Sequence, residues 1–330
     1  MTTPRTGRAT RIRVPVNGVG QGIFLQEPEG EARPVLLFVH GGPGMPEYWL
    51  TRQHPTRLHE AFTVAWWEQR GAGLSYRPDI PAESMSVEQF VDDTLVVASH
   101  LCERLGVDKV HLMAHSWGSF IGIQAAARAP ELFASYVGMA QVTHQIASEQ
   151  QAHAFMLERY RDRGDRRMVR RLERAPVTGE VPLPRRYEAL RDPAMHRLGV
   201  GTTHEMRSVI TGIFLASLTS PDYTVAERLN LWRGRRLSRG FGLWDQMLGT
   251  DLASQVTRLA VPAYFLHGRH DQTVSYDLAR AYAARLEAPQ VGFYTFEHSA
   301  HSPAFEEPDR ALRILAEDVL AGTSALADPI

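Results

Sequence analysis

The stretch VHLMAHSWGSFIG, Val110 to Gly122, limits the possible folds more sharply than any other part of the chain. Val110, Leu112 and Met113 read as a buried strand, and Phe120 to Ile123 lead into the small-residue run AAARAP, which suits a closely packed helix. Ser116 stands at the corner between them. The corner nearly matches G-x-S-x-G, a turn that points a serine hydroxyl out of a sheet and needs small side chains two residues before and after it. Gly118 keeps the second small position, and Ala114 replaces the first glycine by one methyl. A helix-capping serine on an ordinary strand-to-helix turn is the competing reading.

The surrounding pattern favours a parallel sheet. Short β-rich runs occur at RIRVPV, GIFLQE, VLLFVH, FTVAWWE, KVHLMAH, SYVGMA, VPAYFLH and VGFYTF, with helical patterns between them from the third onward. The segment SMSVEQFVDDTLVVASHLCERLG begins with Ser86 and Gln89 spaced as a capping box and stops at Gly106. This alternation predicts a doubly wound α/β core, residues 1–141 and 251–330, opened by an antiparallel pair. Between residues 142 and 250 the alternation stops, and polar helical pieces predict an inserted cap. The many arginines there read as a solvated face.

Composition excludes several classes. Of 330 residues, 44% are hydrophobic and 22% charged, and no run reaches the roughly 18 apolar residues a membrane span needs, so no membrane partner is expected. A net charge of -1 gives no reason to expect nucleic acid. Cys102 is the only cysteine, which rules out an internal disulfide; in its helical setting it reads as a core filler. The opening MTTPRTGRATRIRV has no apolar segment behind its basic residues, so a cytoplasmic location is expected.

A serine nucleophile needs a base, an orienting acid and donors for an oxyanion. The run VPAYFLHGRHD ends at Asp271, at a strand edge where open α/β sheets keep their sites. One helix and one strand later, FEHSAHSPAFEEP supplies His298 and His301, of which His301 is the expected base and His298 a pocket residue. The chain order Ser116, Asp271, His301 fits a hydrolase. After VLLFVH come Gly41 to Gly44, whose backbone can turn its amides toward the serine; the N–H groups of Gly42 and Trp117 are the expected oxyanion hole. A phosphate-binding loop is the alternative for these glycines, but the lysine-serine ending is absent.

Together HGGPG, WEQRGAGLS, HSWGS and the GRHD to SAHSP pair resemble the proline iminopeptidase group of the α/β-hydrolase superfamily, over about residues 35–140 and 261–308. The resemblance implies a serine hydrolase with Ser116, Asp271 and His301 as triad, Gly42 and Trp117 as oxyanion hole, and no metal or organic cofactor. Glu68 stands where these relatives usually have aspartate, and Arg70 is expected to brace the loop beneath the site. Relatives that release N-terminal proline hold the substrate ammonium with acidic cap residues. Here LNLWRGRRLS offers arginines, leaving Glu149, Glu205 or Glu227 as candidates. Trp232, Phe241 and Trp244 are candidate pocket residues. The expected substrate is a small-molecule ester, lactone or amide, or a short peptide. Proline iminopeptidase activity, a lyase of the hydroxynitrile type and a ligand sensor are the alternatives.

Overall fold

A computed structural model describes residues 9–28, 30 and 32–330. All eight β-rich runs form strands of one sheet: β1 (Thr10–Val16), β2 (Val19–Gln26), β3 (Val35–Val39), β4 (Thr63–Glu68), β5 (Val110–His115), β6 (Phe133–Met139), β7 (Ala263–Gly268) and β8 (Val291–Phe296). Their spatial order is β1-β2-β4-β3-β5-β6-β7-β8. β1 and β2 form a hairpin across Asn17-Gly18, both at positive φ, as a tight two-residue turn requires. β2 pairs antiparallel with β4, and every pairing from β4 through β3 to β8 is parallel. The central strands are apolar on both faces because helices cover both; every residue of β3, β4 and β7 is buried.

The helices are α1 (Val87–Leu105), α2 (Trp117–Arg128), α3 (Gln145–Asp162), α4 (Arg166–Glu173), α5 (Arg185–Leu198), α6 (Ala216–Thr219), α7 (Val225–Gly240), α8 (Leu243–Leu248), α9 (Leu252–Gln255), α10 (Tyr276–Ala283), α11 (Pro303–Glu306) and α12 (Pro308–Ile314). α1 starts at Ser86, whose hydroxyl accepts the Gln89 N–H, and stops at Gly106 with φ 66°. The second half of the capping box does not form, because the Gln89 amide donates instead to Asp93, 2.9 Å away. Asp93 is buried and also binds Arg70 Nε at 2.8 Å and Nη2 at 2.9 Å. A paired carboxylate in the core holds more donors than a cap can compete for.

Helices α3 to α8 occupy the insertion between β6 and β7 and carry a small core of their own, with Met156, Leu172 and Tyr187 buried in it. The piece THEMRSV is non-helical at its start, and the helix following it opens as a π-helical stretch, Ile210–Leu215. Cys102 is a free thiol, half-buried against the core. No helix among the described residues is long and apolar enough to cross a membrane. Parallel strands β3, β5, β7 and β8 end at one edge, so the loops after them converge beneath the cap.

Candidate active site

Ser116 sits between β5 and α2 with φ 54° and ψ −120°, a conformation that L side chains rarely adopt. It is held there from both sides: its N–H donates to the Met139 carbonyl at 3.0 Å, and its carbonyl accepts from Ser119 N and Phe120 N. A Cβ at Gly118 would run into the carbonyl of Val39 on β3, so this position admits glycine alone. Ala114 is accommodated because Gly122 faces it; a Cβ at Gly122 would lie 2.8 Å from that of Ala114. The methyl missing from the helix offsets the methyl added to the strand.

Asp271 follows β7 and His301 follows β8, both buried, with His301 Nδ1 2.8 Å from Asp271 Oδ2. The other Asp271 oxygen accepts Thr273 N at 2.7 Å and Val274 N at 3.0 Å, and His267 Nε2 lies 3.4 Å from Oδ2. Burial would raise the Asp271 pKa, but the His301 charge and the hydrogen bonds from His267 and His301 outweigh it and hold the carboxyl well below its usual range. An ionised Asp271 fixes the proton of His301 on Nδ1 and leaves Nε2 as a base. Burial lowers the pKa of His301 against the opposing pull of Asp271, so the ring is neutral near pH 7. A Cβ at Gly268 would collide with the carbonyl of Ala300, so glycine in GRHD lets the histidine loop cross β7 at close range.

The glycine loop is set by three side chains. His40 Nδ1 lies 2.7 Å from the Gly41 carbonyl, Gln69 donates its amide to the His40 carbonyl at 2.7 Å, and Glu47 Oε1 accepts Gly41 N at 3.1 Å. Because a trans peptide points its N–H opposite its C=O, pinning the Gly41 carbonyl aims the Gly42 N–H the other way. Burial lowers the His40 pKa to about 4, so its Nδ1–H donates while Nε2 accepts Gln69 N at 3.1 Å. The Gly42 and Trp117 N–H groups form no hydrogen bond with described residues. Gln69 also accepts the Trp117 indole N–H at 2.9 Å, tying both halves of the expected oxyanion hole together.

Ser116, His301 and Gly42 border one cavity of about 230 Å³ under the cap. Of the expected pocket residues only Trp244 lines it. His298 is exposed and outside the cavity, and its backbone N–H donates to Glu307. Trp232 packs on Phe214 and donates to Ser217, and Phe241 packs against the core. These three are corrections to the sequence expectation: His298 is turned to solvent, and the rings of Trp232 and Phe241 are taken up by packing against neighbouring side chains. The carboxylates considered for an ammonium are also elsewhere. Glu149 is fully buried and taken by Arg191, Tyr187 and Gln145; Glu227 caps α7 and binds Arg11; Glu205 is exposed outside the cavity.

The cavity instead receives Glu47, His115, Glu188, Asp192, Arg235 and Arg239, which were not anticipated. A sequence signal existed for four of them: Glu188 and Asp192 are spaced i, i+4 on α5, as Arg235 and Arg239 are on α7. Arg70 binds Asp93 and the carbonyls of Val16 and Asn17, contacts that tie the first hairpin to α1. Glu68 is buried, accepts Leu74 N and the Tyr223 hydroxyl, and does not line the cavity. No cluster of three metal-ligating side chains occurs among the described residues.

Comparison with known proteins agrees with this architecture. The family described as alpha/beta hydrolase fold matches residues 34–308. The chain belongs to the α/β-hydrolase family. It is 32% identical over 287 residues to a probable aminopeptidase, YbaC, of Bacillus subtilis strain 168, spanning 83% of this chain and 85% of that one. A proline iminopeptidase of Heyndrickxia coagulans is 22% identical over 300 residues, 88% of this chain and 92% of that one. Among solved structures, a proline iminopeptidase-related protein of Thermus thermophilus superposes with a TM-score of 0.59 at 23% identity, covering 95% of this chain and 98% of that one. A serine hydrolase of Cycloclasticus zankles reaches 0.61 at 15% identity, covering 94% and 99%. The chain is thus a hydrolytic enzyme of the α/β-hydrolase family, with a relative named as a probable aminopeptidase.

Proposed function

We propose that this hydrolase cleaves a carboxylic ester, lactone or amide through an acyl-enzyme on Ser116. The observation that carries the reading is the hydrogen bond between buried Asp271 and His301, whose ring lines the same cavity as Ser116 on its turn. His301 Nε2 takes the Ser116 proton as Oγ attacks the carbonyl, and the tetrahedral oxyanion accepts from Gly42 N–H and Trp117 N–H. His301 then gives the proton to the leaving oxygen or nitrogen, which departs as an alcohol or amine. Water, deprotonated by the same ring, attacks the acyl-enzyme; the carboxylic acid leaves and Ser116 regains its proton. Asp271 stays ionised throughout and stabilises the imidazolium formed at each attack. A cytoplasmic location and a small-molecule or short-peptide substrate belong to the same reading.

The names of the relatives support a second reading, an aminopeptidase. Glu188 alone among the cavity carboxylates keeps an oxygen without a partner among the described residues, and an ammonium there would share it with Arg239. The test is a panel of p-nitrophenyl esters of graded length, lactones and aminoacyl arylamides against wild type and Ser116→Ala, with fluorophosphonate labelling of Ser116. Turnover that survives the substitution refutes the nucleophile, and cyanohydrin cleavage without ester cleavage would select a lyase.

A further inference from the structure

We propose that Arg235 and Arg239 form an anion subsite, and that preferred substrates carry a carboxylate remote from the scissile carbonyl. The proposal rests on the hydrolase reading above and specifies its substrate class. Both arginines lie on one face of α7, i and i+4, and both line the cavity that contains Ser116. Beside them Glu188 and Asp192 lie on one face of α5 with the same spacing. Two ion pairs join these faces along the cavity wall: Arg235 Nη2 to Asp192 Oδ2 at 3.2 Å, and Arg239 Nη2 to Glu188 Oε2 at 2.6 Å.

Formal charge does not decide what this wall binds, since Glu149, Glu188 and Asp192 balance Arg191, Arg235 and Arg239. Remaining hydrogen-bond capacity does. Asp192 spends one oxygen on Arg191 and the other on Arg235. Arg191 spends Nε, Nη1 and Nη2 on Glu149, Asp192 and the Thr273 carbonyl. Arg235 and Arg239 each commit only Nη2, so their Nε and Nη1 donors have no hydrogen-bond partner among the described residues. A guanidinium presents five N–H groups in a fixed fork that matches a carboxylate. An anion can therefore bind both arginines without breaking either ion pair. An ammonium finds one spare oxygen, on Glu188, already beside a guanidinium.

The pairs also hold the arginines in place. Asp192 and the face of Trp232, whose centroid is 5.8 Å from the guanidinium carbon, fix Arg235, and Glu188 fixes Arg239. Their side chains are 39% and 59% exposed, so the carboxylate would meet them on the open side while the reacting carbonyl lies at Ser116. A site this open is screened by salt.

Two measurements test this. The first compares p-nitrophenyl hemiesters of adipic and pimelic acid with their methyl-capped diesters, after subtracting the enzyme-free rate. Wild type should favour the carboxylate-bearing ester in kcat/KM by at least about tenfold at low salt, the usual scale of charge-assisted hydrogen bonds. Added NaCl, Arg235→Gln and Arg239→Gln should each bring the ratio toward one, with Arg239→Lys retaining part of it. The second is calorimetric titration with adipate, which needs no turnover: wild type should bind it and both glutamine variants should bind more weakly. Equal or better cleavage of the capped esters by wild type, or a ratio and adipate affinity unmoved in both variants, overturns the subsite. Failure to cleave any ester while adipate binds in an arginine-dependent way would refute the hydrolase reading and leave the subsite standing.

Discussion

The imidazoles of His115 and His301 stand with ring centroids 4.7 Å apart, and Nε2 of His115 lies 2.8 Å from the backbone carbonyl of His301. The other nitrogen of His115 faces both Glu47 oxygens, at 2.8 and 2.9 Å. Glu47 in turn accepts Gly41 N–H, so one buried pair registers the glycine loop, the residue before Ser116 and the histidine loop against each other. With oxygen acceptors at both nitrogens, the ring satisfies both only as an imidazolium.

Burial lowers the pKa of His115, but the charge and hydrogen bond of Glu47, with the His301 carbonyl, more than reverse this and raise it above 6.5. Deprotonation at alkaline pH therefore costs one of the two contacts. The acid limb of kcat/KM is expected below pH 6.5, from the lowered pKa of His301, and an alkaline limb above it, from His115. Glu47→Gln removes the partner charge, so the alkaline limb should move to lower pH with kcat affected more than KM. Rate profiles from about pH 5 to 10 check this; superimposable alkaline limbs would refute the role of the pair.

The same pair makes a prediction about stability. The raised pKa of His115 gives a contribution complete below its unfolded value of 6.5 and lost as pH rises through the folded value. The lowered pKa of Glu47 gives one present above its unfolded value of 4.5 and lost as pH falls through the folded value. Glu47→Gln should thus cost most between about pH 4.5 and 6.5, on the order of 3 kcal/mol, with a smaller deficit in alkali. Urea unfolding of both proteins across pH measures the difference.

Ser116→Ala should fold normally and lose about a million-fold in kcat, and His301→Ala should be nearly as damaging. His298→Ala should leave the rate within about twofold, because that ring is exposed outside the cavity and only its backbone N–H is engaged. Steady-state kinetics on one ester decides; a severe His298 variant beside a mild His301 variant would move the base.

Gly118→Ala should destabilise the protein and depress activity, since the added methyl meets the Val39 carbonyl, which β3 cannot move without shifting the central sheet. Ala114→Gly should be mild, removing one methyl at a contact where Gly122 already leaves room. Melting temperatures of the two variants, read side by side, check the asymmetry.

The sheet was legible because parallel strands buried on both faces read as short unbroken apolar runs, as VLLFV and AYFLHG do. Asp271 and His301 were legible because strand ends put them at one edge. The cap wall was not. Asp192 stands 43 residues before its partner Arg235, Glu188 lies farther still from Arg239, and only the folded chain brings the side chains of α5 and α7 together at the cavity. Trp232 and Phe241 misled for the opposite reason, because an aromatic on a helix or at its end reads alike whether it meets a ligand or a neighbouring side chain.

Glu68 joins the core to the cap through the Tyr223 hydroxyl, and burial raises its pKa to about 8. A raised carboxyl pKa favours the neutral folded form, so stability falls as pH climbs from the unfolded value of 4.5 toward 8. Glu68→Gln keeps an acceptor for Leu74 N and gives the phenol an amide donor, without the ionisation. Relative to wild type it should therefore become progressively more stable from about pH 5 to 8, as denaturant unfolding would show. A constant difference across that range would mean that Glu68 is ionised in the folded protein.

A free amine on the substrate should not be strongly preferred. The carboxylates first considered for it lie outside the cavity, and Glu188 can receive an ammonium only alongside Arg239, 2.6 Å from its other oxygen. Taking an ammonium out of water without a dedicated anion costs several kcal/mol. Esters react faster than amides in any enzyme of this chemistry, so the informative comparison is proline arylamide against its N-acetylated form. We expect kcat/KM for the two to differ by less than about tenfold, or about 1.4 kcal/mol in transition-state binding. A free-amine preference of about a hundredfold, abolished by Glu188→Gln, would mean that Glu188 captures the ammonium despite Arg239, and the aminopeptidase reading would replace the one argued here.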